Sequence, residues 1–308
     1  MSLAPPEIAE TDTRRTQSGI LVGLACYVLW GFLPLLFAML ERVGSVTVVA
    51  SRTVWSLLFV GAILLIGGRL GEVRAALADR ATLRSMIVSS VLLAANWLIY
   101  VYAVESGQAL EGSFGYFVNP IVNVFIGMAL LGERQNRVQW VAIGIAIAAI
   151  GVQSVGIGRI PYLALSIAVS FAIYGYFRKT AKVGSTTGLF VETVILLPAA
   201  LAWLGWSFVR DGGLGIMADP GIFGLLALTG PATAVPLLLF AFAVQRLRLT
   251  TIGMLQYLSP SIQFLLAIFV LREPTNWIQL ASFAMIGLSL VVYSADSIMR
   301  RQRSVVAA

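Results

Sequence analysis

The sequence predicts an all-α polytopic membrane protein: ten transmembrane helices arranged as two inverted five-helix repeats. Three observations point there. Hydrophobic residues make up 59% of the 308 residues and charged ones 11%, with a mean hydropathy of +0.90. A soluble globule of that composition would lack the charged surface that keeps copies apart. Apolar runs long enough to cross a hydrocarbon core of ~30 Å recur along the whole chain. Part of the first half also aligns with the second without a gap when the sequence is shifted by 140 positions.

The elements follow in order. Residues 1–17 are polar and proline-bearing and read as a disordered cytoplasmic tail. The run from Ser18 to Leu40 is too long for a signal-peptide core and no small-residue cleavage site closes it, so it reads as a retained span. The ten spans are 18–40, 46–67, 82–104, 112–131, 138–157, 159–178, 187–207, 221–244, 251–271 and 275–296. Charged or glycine-bearing breaks separate them. The weakest break lies within 138–178, where Gly156, Gly158, Arg159 and Pro161 favour two helices over one long one. The chain then divides into the tail 1–17, a first five-helix repeat 18–157, a second, inverted repeat 158–297 and a cytoplasmic tail 298–308.

Orientation comes from the basic residues. The two tails and every second loop hold 16 of the 21 Lys and Arg, the opposite loops hold 4, and Arg52 lies inside a span. The positive-inside rule puts both termini in the cytoplasm of a multi-pass protein of the cell inner (plasma) membrane. The net charge of +7 is then a topology signal, with no nucleic-acid partner implied. Histidine is absent and Cys26 is the only cysteine, so imidazole catalysis, His-ligated metals and cysteine clusters are excluded, and no cofactor is implied. No GxxxxGK(S/T) loop is present to bind ATP. No paired carboxylates share a helix, so there are no candidate catalytic residues and an enzyme is not expected. No ring of like charge suggests a channel.

The repeat places residues 98–154 on 238–294. Phe117, Pro120, Glu133, Gln139 and Ser154 fall on Tyr257, Pro260, Glu273, Gln279 and Ser294. A shift of five spans is odd, so the halves insert upside down relative to each other. Inverted repeats with a solute site between them near the midplane are a common plan of secondary transporters.

Candidate functional residues follow from that plan. Pro120 and Pro260, mid-span and equivalent, would kink gating helices. Span 4 carries the stripe Gly112, Tyr116, Asn119, Asn123, Gly127, and span 9 the stripe Gly253, Gln256, Pro260, Gln263. Polar side chains on a span must face protein or water. Asn96, Asn119 and Gln256 are assigned to a solute cavity, and Asn123 and Gln263 to packing. Tyr100, Tyr116, Tyr174, Tyr257 and Trp55 add aromatic contacts suited to amphipathic organic solutes. Arg52 is a candidate contact for an anion or carboxylate and Glu192 a proton or cation site. Their depths, ~9 Å below the outer and ~7.5 Å above the inner end of their spans, are about 13 Å apart, too far to pair. Glu133 and Glu273 read as structural, offset by Arg134, Arg137 or Arg272.

At "NWLIYVYAV", "LEGSFGYFVNPIVNVFIGMALLGER", "VETVILLP" and "LRLTTIGMLQYLSPSIQFLLAIFVLREP" the chain resembles the RarD group of the EamA family, in the drug/metabolite transporter superfamily. The similarity runs from Ser18 to Met299. It implies two inverted five-helix halves, a cavity lined mainly by helices 1–4 and 6–9, peripheral helices 5 and 10, and an inner-membrane permease labelled an exporter of small metabolites or drugs. RarD members carry a chloramphenicol-related label. One departure stands out in "TVVASRTVWS", where Arg52, Trp55 and Ser56 match but Thr47 and Ser51 replace an acid and a histidine frequent in the family. The expected function is a secondary transporter of small amphipathic organic solutes such as metabolites, amino acids or drugs, working by alternating access, in the direction of export. The rival is a membrane scaffold or sensor built on a transporter fold, without flux.

Overall fold

In the computed structural model, the described residues are 6–131, 135–211, 213–244, 246 and 255–306. They form eleven α-helices and one short 3-10 turn, with no strand among them. The helices are α1 (Pro6–Ala38), α2 (Ser45–Ile66), α3 (Leu70–Ala78), α4 (Arg80–Glu105), α5 (Ala109–Leu131), α6 (Arg137–Ile157), α7 (Tyr162–Thr180), α8 (Ser185–Arg210), α9 (Pro220–Val244), α10 (Leu258–Phe269) and α11 (Trp277–Val306). Six of them are long and apolar enough to cross a membrane by length and hydropathy, over Gln17–Ala38, Ser45–Ile66, Arg80–Glu105, Arg137–Ile157, Ser185–Arg210 and Pro220–Phe240.

Each expected span has a helix, and the differences lie at the ends and in one loop. The tail read as disordered is helical from Pro6. Proline is tolerated in the first turn, where its missing N–H has no intrahelical partner, and Glu, Ala, Arg and Gln then carry the helix forward. The C-terminal tail is likewise helical to Val306. Helix α3 occupies a loop expected to be irregular. It buries Val73 and Ala76, and Glu72 accepts a hydrogen bond from Thr187 Oγ1 at 2.6 Å, which pins it to the first turn of α8. The weak break resolves as two helices: α6 ends at Gly158, whose φ of +71° is the left-handed cap glycine adopts without strain, and α7 begins after Pro161.

Helix starts recur at one interval. Ser45 and Ser185, Arg80 and Pro220, and Arg137 and Trp277 each stand 140 positions apart. The caps recur too. Asp79 accepts from Thr82 N at 3.0 Å, and Asp219 from Gly221 N at 2.7 Å. Asn136 and Gln139 form a reciprocal capping box, as do Asn276 and Gln279. Packing follows the same interval. Helix α5 lies on α7 as α10 lies on α1, α4 lies on α7 as α9 lies on α1, and α2 lies on α9 as α8 lies on α4. Helices α6 and α11 pack chiefly on each other, at the edge.

Polar side chains are buried along one face of α2 while apolar ones point out. Helix α2 buries Thr47, Ser51, Arg52, Thr53 and Ser56 and exposes Val46, Leu58, Leu65 and Ile66. That arrangement suits a lipid solvent, in which apolar side chains face outward and polar ones find partners inside.

Candidate functional site

The centre of the bundle is built around Arg52, whose side chain reaches it from the polar face of α2. A Cβ added to Gly230 would stand 2.6 Å from the Trp55 backbone, so only glycine lets α9 approach α2 this closely. One turn on, Thr233 meets Arg52, whose Nε donates to Thr233 Oγ1 at 2.6 Å. The guanidinium carbon lies 4.1 Å from the Trp97 ring centroid and 5.5 Å from that of Phe37. Tyr100 packs edge-on against Phe37 at 6.1 Å and against Tyr116 at 5.2 Å, and Tyr116 continues to Phe171 at 5.9 Å. A Cβ at Gly112 would sit 3.3 Å from the Tyr100 ring, so the glycine gives that ring its seat on α5. Arg52 is 4% exposed and Tyr100 3%. The Tyr100 and Ser56 hydroxyls are buried with no hydrogen-bond partner among the described residues.

The other sequence candidates fall into different environments. Asn96 and Asn119, two of the amides expected to face solute, hydrogen-bond to α7. Asn96 donates to Ile167 O and Ser170 Oγ and accepts from Tyr116 OH, and Asn119 donates to Ala168 O at 2.9 Å. These bonds tie α4 and α5 to α7. Asn123 donates to Asn119 Oδ1, and Gln263 to Trp30 O on α1. Trp55 turns away from Arg52. Its ring meets Phe223 edge-on at 5.7 Å and lines an open apolar groove of about 500 Å³ between α2 and α9, with Leu58, Phe59 and Pro231. Pro120 lies inside α5, where it deprives the Tyr116 carbonyl of its helical donor. Residues 255 and 256 are helical, Tyr257 breaks the helix while keeping right-handed helical angles, and α10 resumes at Leu258, so Pro260 lies three residues past a one-residue break. Its carbonyl accepts from Ser113 Oγ at 2.8 Å, joining α10 to α5. Gln256 and Tyr257 are half-buried just ahead of α10. Gly253 and Glu133 lie outside the described residues.

Glu192 has its own cluster. Its carboxylate lies 3.7 Å from Arg178 Nε and accepts from Ser89 Oγ at 2.7 Å and Tyr174 OH at 3.4 Å. Arg178 was not among the sequence candidates, although it ends span 6 and Glu192 lies in the second turn of span 7, across a short break. Arg52 and Glu192 are themselves 140 positions apart. Extending the shift upstream sets Ser45, Thr47, Thr53 and Val54 over Ser185, Thr187, Thr193 and Val194, and puts the two buried charges at equivalent points. Each is bonded by a hydroxyl across the bundle, Thr233 of α9 for Arg52 and Ser89 of α4 for Glu192. Thr47 accepts the indole N–H of Trp203 at 3.0 Å.

The end of the bundle where α5 and α7 begin is closed by cross-helix bonds. Both oxygens of Glu273 accept from the first amides of α5, Ala109 N at 2.6 Å and Leu110 N at 2.8 Å. An acid there is favoured by the helix dipole, so these amides, and not Arg272, compensate Glu273. Burial pushes its carboxyl above the ordinary range, opposed by the two amides. Glu111 does the same for α7, accepting from Leu163 N at 2.9 Å, and is paired with Arg159 at 2.8 Å. Ser45 Oγ donates to Glu105, and Asn276 Nδ2 to Gly156 O. Among the described residues no three Cys, Asp or Glu side chains gather as a metal site would require. What the centre offers is one guanidinium, hydroxyls and aromatic faces.

The model of the EamA-like transporter family matches this chain twice, over residues 17–155 and 159–295. The chain belongs to the EamA-like transporter family. An uncharacterized transporter of Pseudomonas aeruginosa is 40% identical over 92% of this chain and 96% of its own length. Protein RarD of Escherichia coli K12 is 36% identical over 95% and 99%. A solved crystal structure of a protein, 17% identical, covers 93% of this chain and 99% of its own at a TM-score of 0.60, a likeness of fold. With its apolar helices, this membership makes the chain a multi-pass membrane transporter.

Proposed function

We propose that the protein is an inner-membrane secondary transporter that moves small amphipathic organic solutes outward by alternating access, with both termini in the cytoplasm. Its two working parts are the inverted five-helix repeats 18–157 and 158–297. The interval of 140 positions in helix starts, caps and packing partners supports the two-repeat reading, as does the double match of the family model. The odd number of spans per repeat supports the inversion.

The observation that carries the reading is the centre itself, where a buried cation, two unpartnered hydroxyls and an aromatic wall of the first repeat meet Thr233 of the second. Solute sites of membrane carriers are built this way, because polar groups inside a membrane persist where a ligand uses them. Arg52, Tyr100 and Tyr116 contact solute. Asn96 and Asn119 set the position of α7 behind them, and Gln256 and Tyr257 stand at the break before α10. Trp55 acts from the lateral groove and Tyr174 and Glu192 from the second cluster. Pro120, inside α5, and Pro260, at the start of α10, are the points about which the paired helices move.

The test is counterflow in liposomes holding the purified chain, with a labelled panel of aromatic monocarboxylates, aromatic, aliphatic and acidic amino acids, and chloramphenicol. Exchange of one solute above empty liposomes is the result expected. No exchange across the panel, from protein shown to be folded and inserted, would overturn the carrier in favour of a scaffold or sensor.

A further inference from the structure

Among the residues whose side chains are described, Arg52 is the buried cation. Glu192 has Arg178 and Glu111 has Arg159, whereas Arg52 has one neutral hydroxyl and two ring faces. No carboxylate among the described residues lies within ion-pairing distance of it. Thr233 takes the Nε edge, which leaves the two terminal Nη groups. They form a planar pair of N–H donors that matches the two oxygens of a carboxylate. The Tyr100 hydroxyl, on a ring packed against Phe37 beside Arg52, and the Ser56 hydroxyl, one turn along the same face of α2, are further buried groups with unused donors.

From this we infer that the central site selects organic monocarboxylates with an apolar, flat body, and rejects amino acids and neutral solutes of the same shape. The inference rests on the carrier reading and deepens it. A single guanidinium is neutralised by one negative charge, and a dianion would leave a net charge in a medium that solvates none. An amino acid brings an ammonium that needs an acid beside it. None of the groups gathered around Arg52 is an acid. A neutral solute leaves the guanidinium unpaired. The rings of Phe37, Trp97, Tyr100 and Tyr116 wall the site and fit a planar hydrocarbon body.

The experiment is equilibrium binding of labelled 3-phenylpropionate to the purified full chain in detergent at neutral pH, with phenylalanine and 3-phenylpropanamide as competitors. The three share ring and chain length and differ in charge. The acid is expected to bind at least about tenfold more tightly than either competitor, the scale of a hydrogen bond to a charged group. Arg52→Gln is expected to weaken the acid by about 10–100-fold, and Arg52→Lys, which keeps the charge but loses the fork, by about tenfold. Should the Arg52 variants fail to fold, Tyr100→Phe removes only a hydroxyl and is expected to weaken the acid by about threefold or more. Equal competition by the amide or the amino acid, no saturable binding of the acid, or an unchanged affinity in Arg52→Gln would each overturn the inference. Counterflow of phenylalanine or chloramphenicol without acid binding would overturn the selectivity and leave the carrier standing. Acid binding without counterflow of any solute would support the site and overturn the carrier.

Discussion

Arg52 on α2 and Glu192 on α8 occupy equivalent points 140 positions apart, and their surroundings differ in kind. Glu192 is fully buried with a cation and two hydroxyls around it. Arg52 is nearly as buried, with one hydroxyl and two aromatic faces. One half of the bundle neutralises its charge with its own residues, and the other holds a charge with no counter-ion among the described residues. Removing a partner should therefore injure the first site, and removing the charge should relax the second.

The largest effect is expected at the first site. Arg178→Ala leaves the Glu192 carboxylate buried without its cation, and breaking one side of a buried pair costs ~3–5 kcal/mol. The melting temperature in detergent should fall sharply, and Glu192→Gln in the Arg178→Ala background should recover part of the loss. If the double variant is no better than the single, the pair is not what holds α7 to α8. At the second site the sign reverses. An isolated charge inside a membrane costs ~2.5–3.5 kcal/mol on insertion scales. Arg52→Gln should therefore melt at the same temperature as the parent or higher, while counterflow is lost. A clear drop in melting temperature would show Arg52 to be a structural lock like Glu192.

Smaller effects come from the packing that sets Arg52. Gly230→Ala puts a methyl 2.6 Å from the Trp55 carbonyl, backbone that cannot yield without moving a helix. Overpacking of this kind costs ~1–3 kcal/mol, and shifting α9 also draws Thr233 from Arg52. Gly144→Ala, on the open face of α6 with nothing within 4 Å, is the control and should change stability by less than about 0.5 kcal/mol. Equal effects of the two substitutions in a thermal melt would sink the close-approach argument.

The helices were legible because a membrane imposes its own length and hydropathy on each span. The break at Gly158 was legible because a left-handed cap needs glycine. Helix α3 was not, since nine residues with two buried apolar positions make too weak a period. The site was half legible. Buried charges at Arg52 and Glu192 stand out in any apolar run, but their partners Thr233, Ser89 and Trp97 come from distant helices and carry no local signal. Asn96 and Asn119 looked like cavity residues because a polar stripe says only that the face avoids lipid. Whether it meets solute or a neighbour's carbonyl is decided by α7, whose approach to α5 depends on Gly115, where a Cβ would stand 2.7 Å from Ala164 O. Arg52 and Glu192 could have been recognised as equivalent by carrying the 140-residue shift upstream of residue 98, where fewer identities mark it.

The finest contrast is between Glu273, the acid that closes one end of the bundle, and the buried acid Glu192. Glu273 sits in the connection between α10 and α11, with its carboxyl raised above the ordinary value of 4.5 by burial and held back by the Ala109 and Leu110 amides. A carboxyl whose value is higher in the folded chain binds its proton more tightly there than in the unfolded chain. Between the ordinary value and the raised one the folded state thus carries more protons, and stability falls as pH rises through that window. Glu273→Gln keeps one acceptor oxygen for the α5 amides and removes the titration. Melting temperatures measured from pH 4 upward should show the parent losing stability relative to Glu273→Gln as the pH climbs above about 4.5, then a constant offset once the carboxyl is fully ionised. Parallel curves from pH 4 onward would mean that the two amides offset burial completely. A parent that gains on the variant with rising pH would mean that the ionised cap at α5 outweighs burial, and the end of the bundle would then be closed most firmly at high pH.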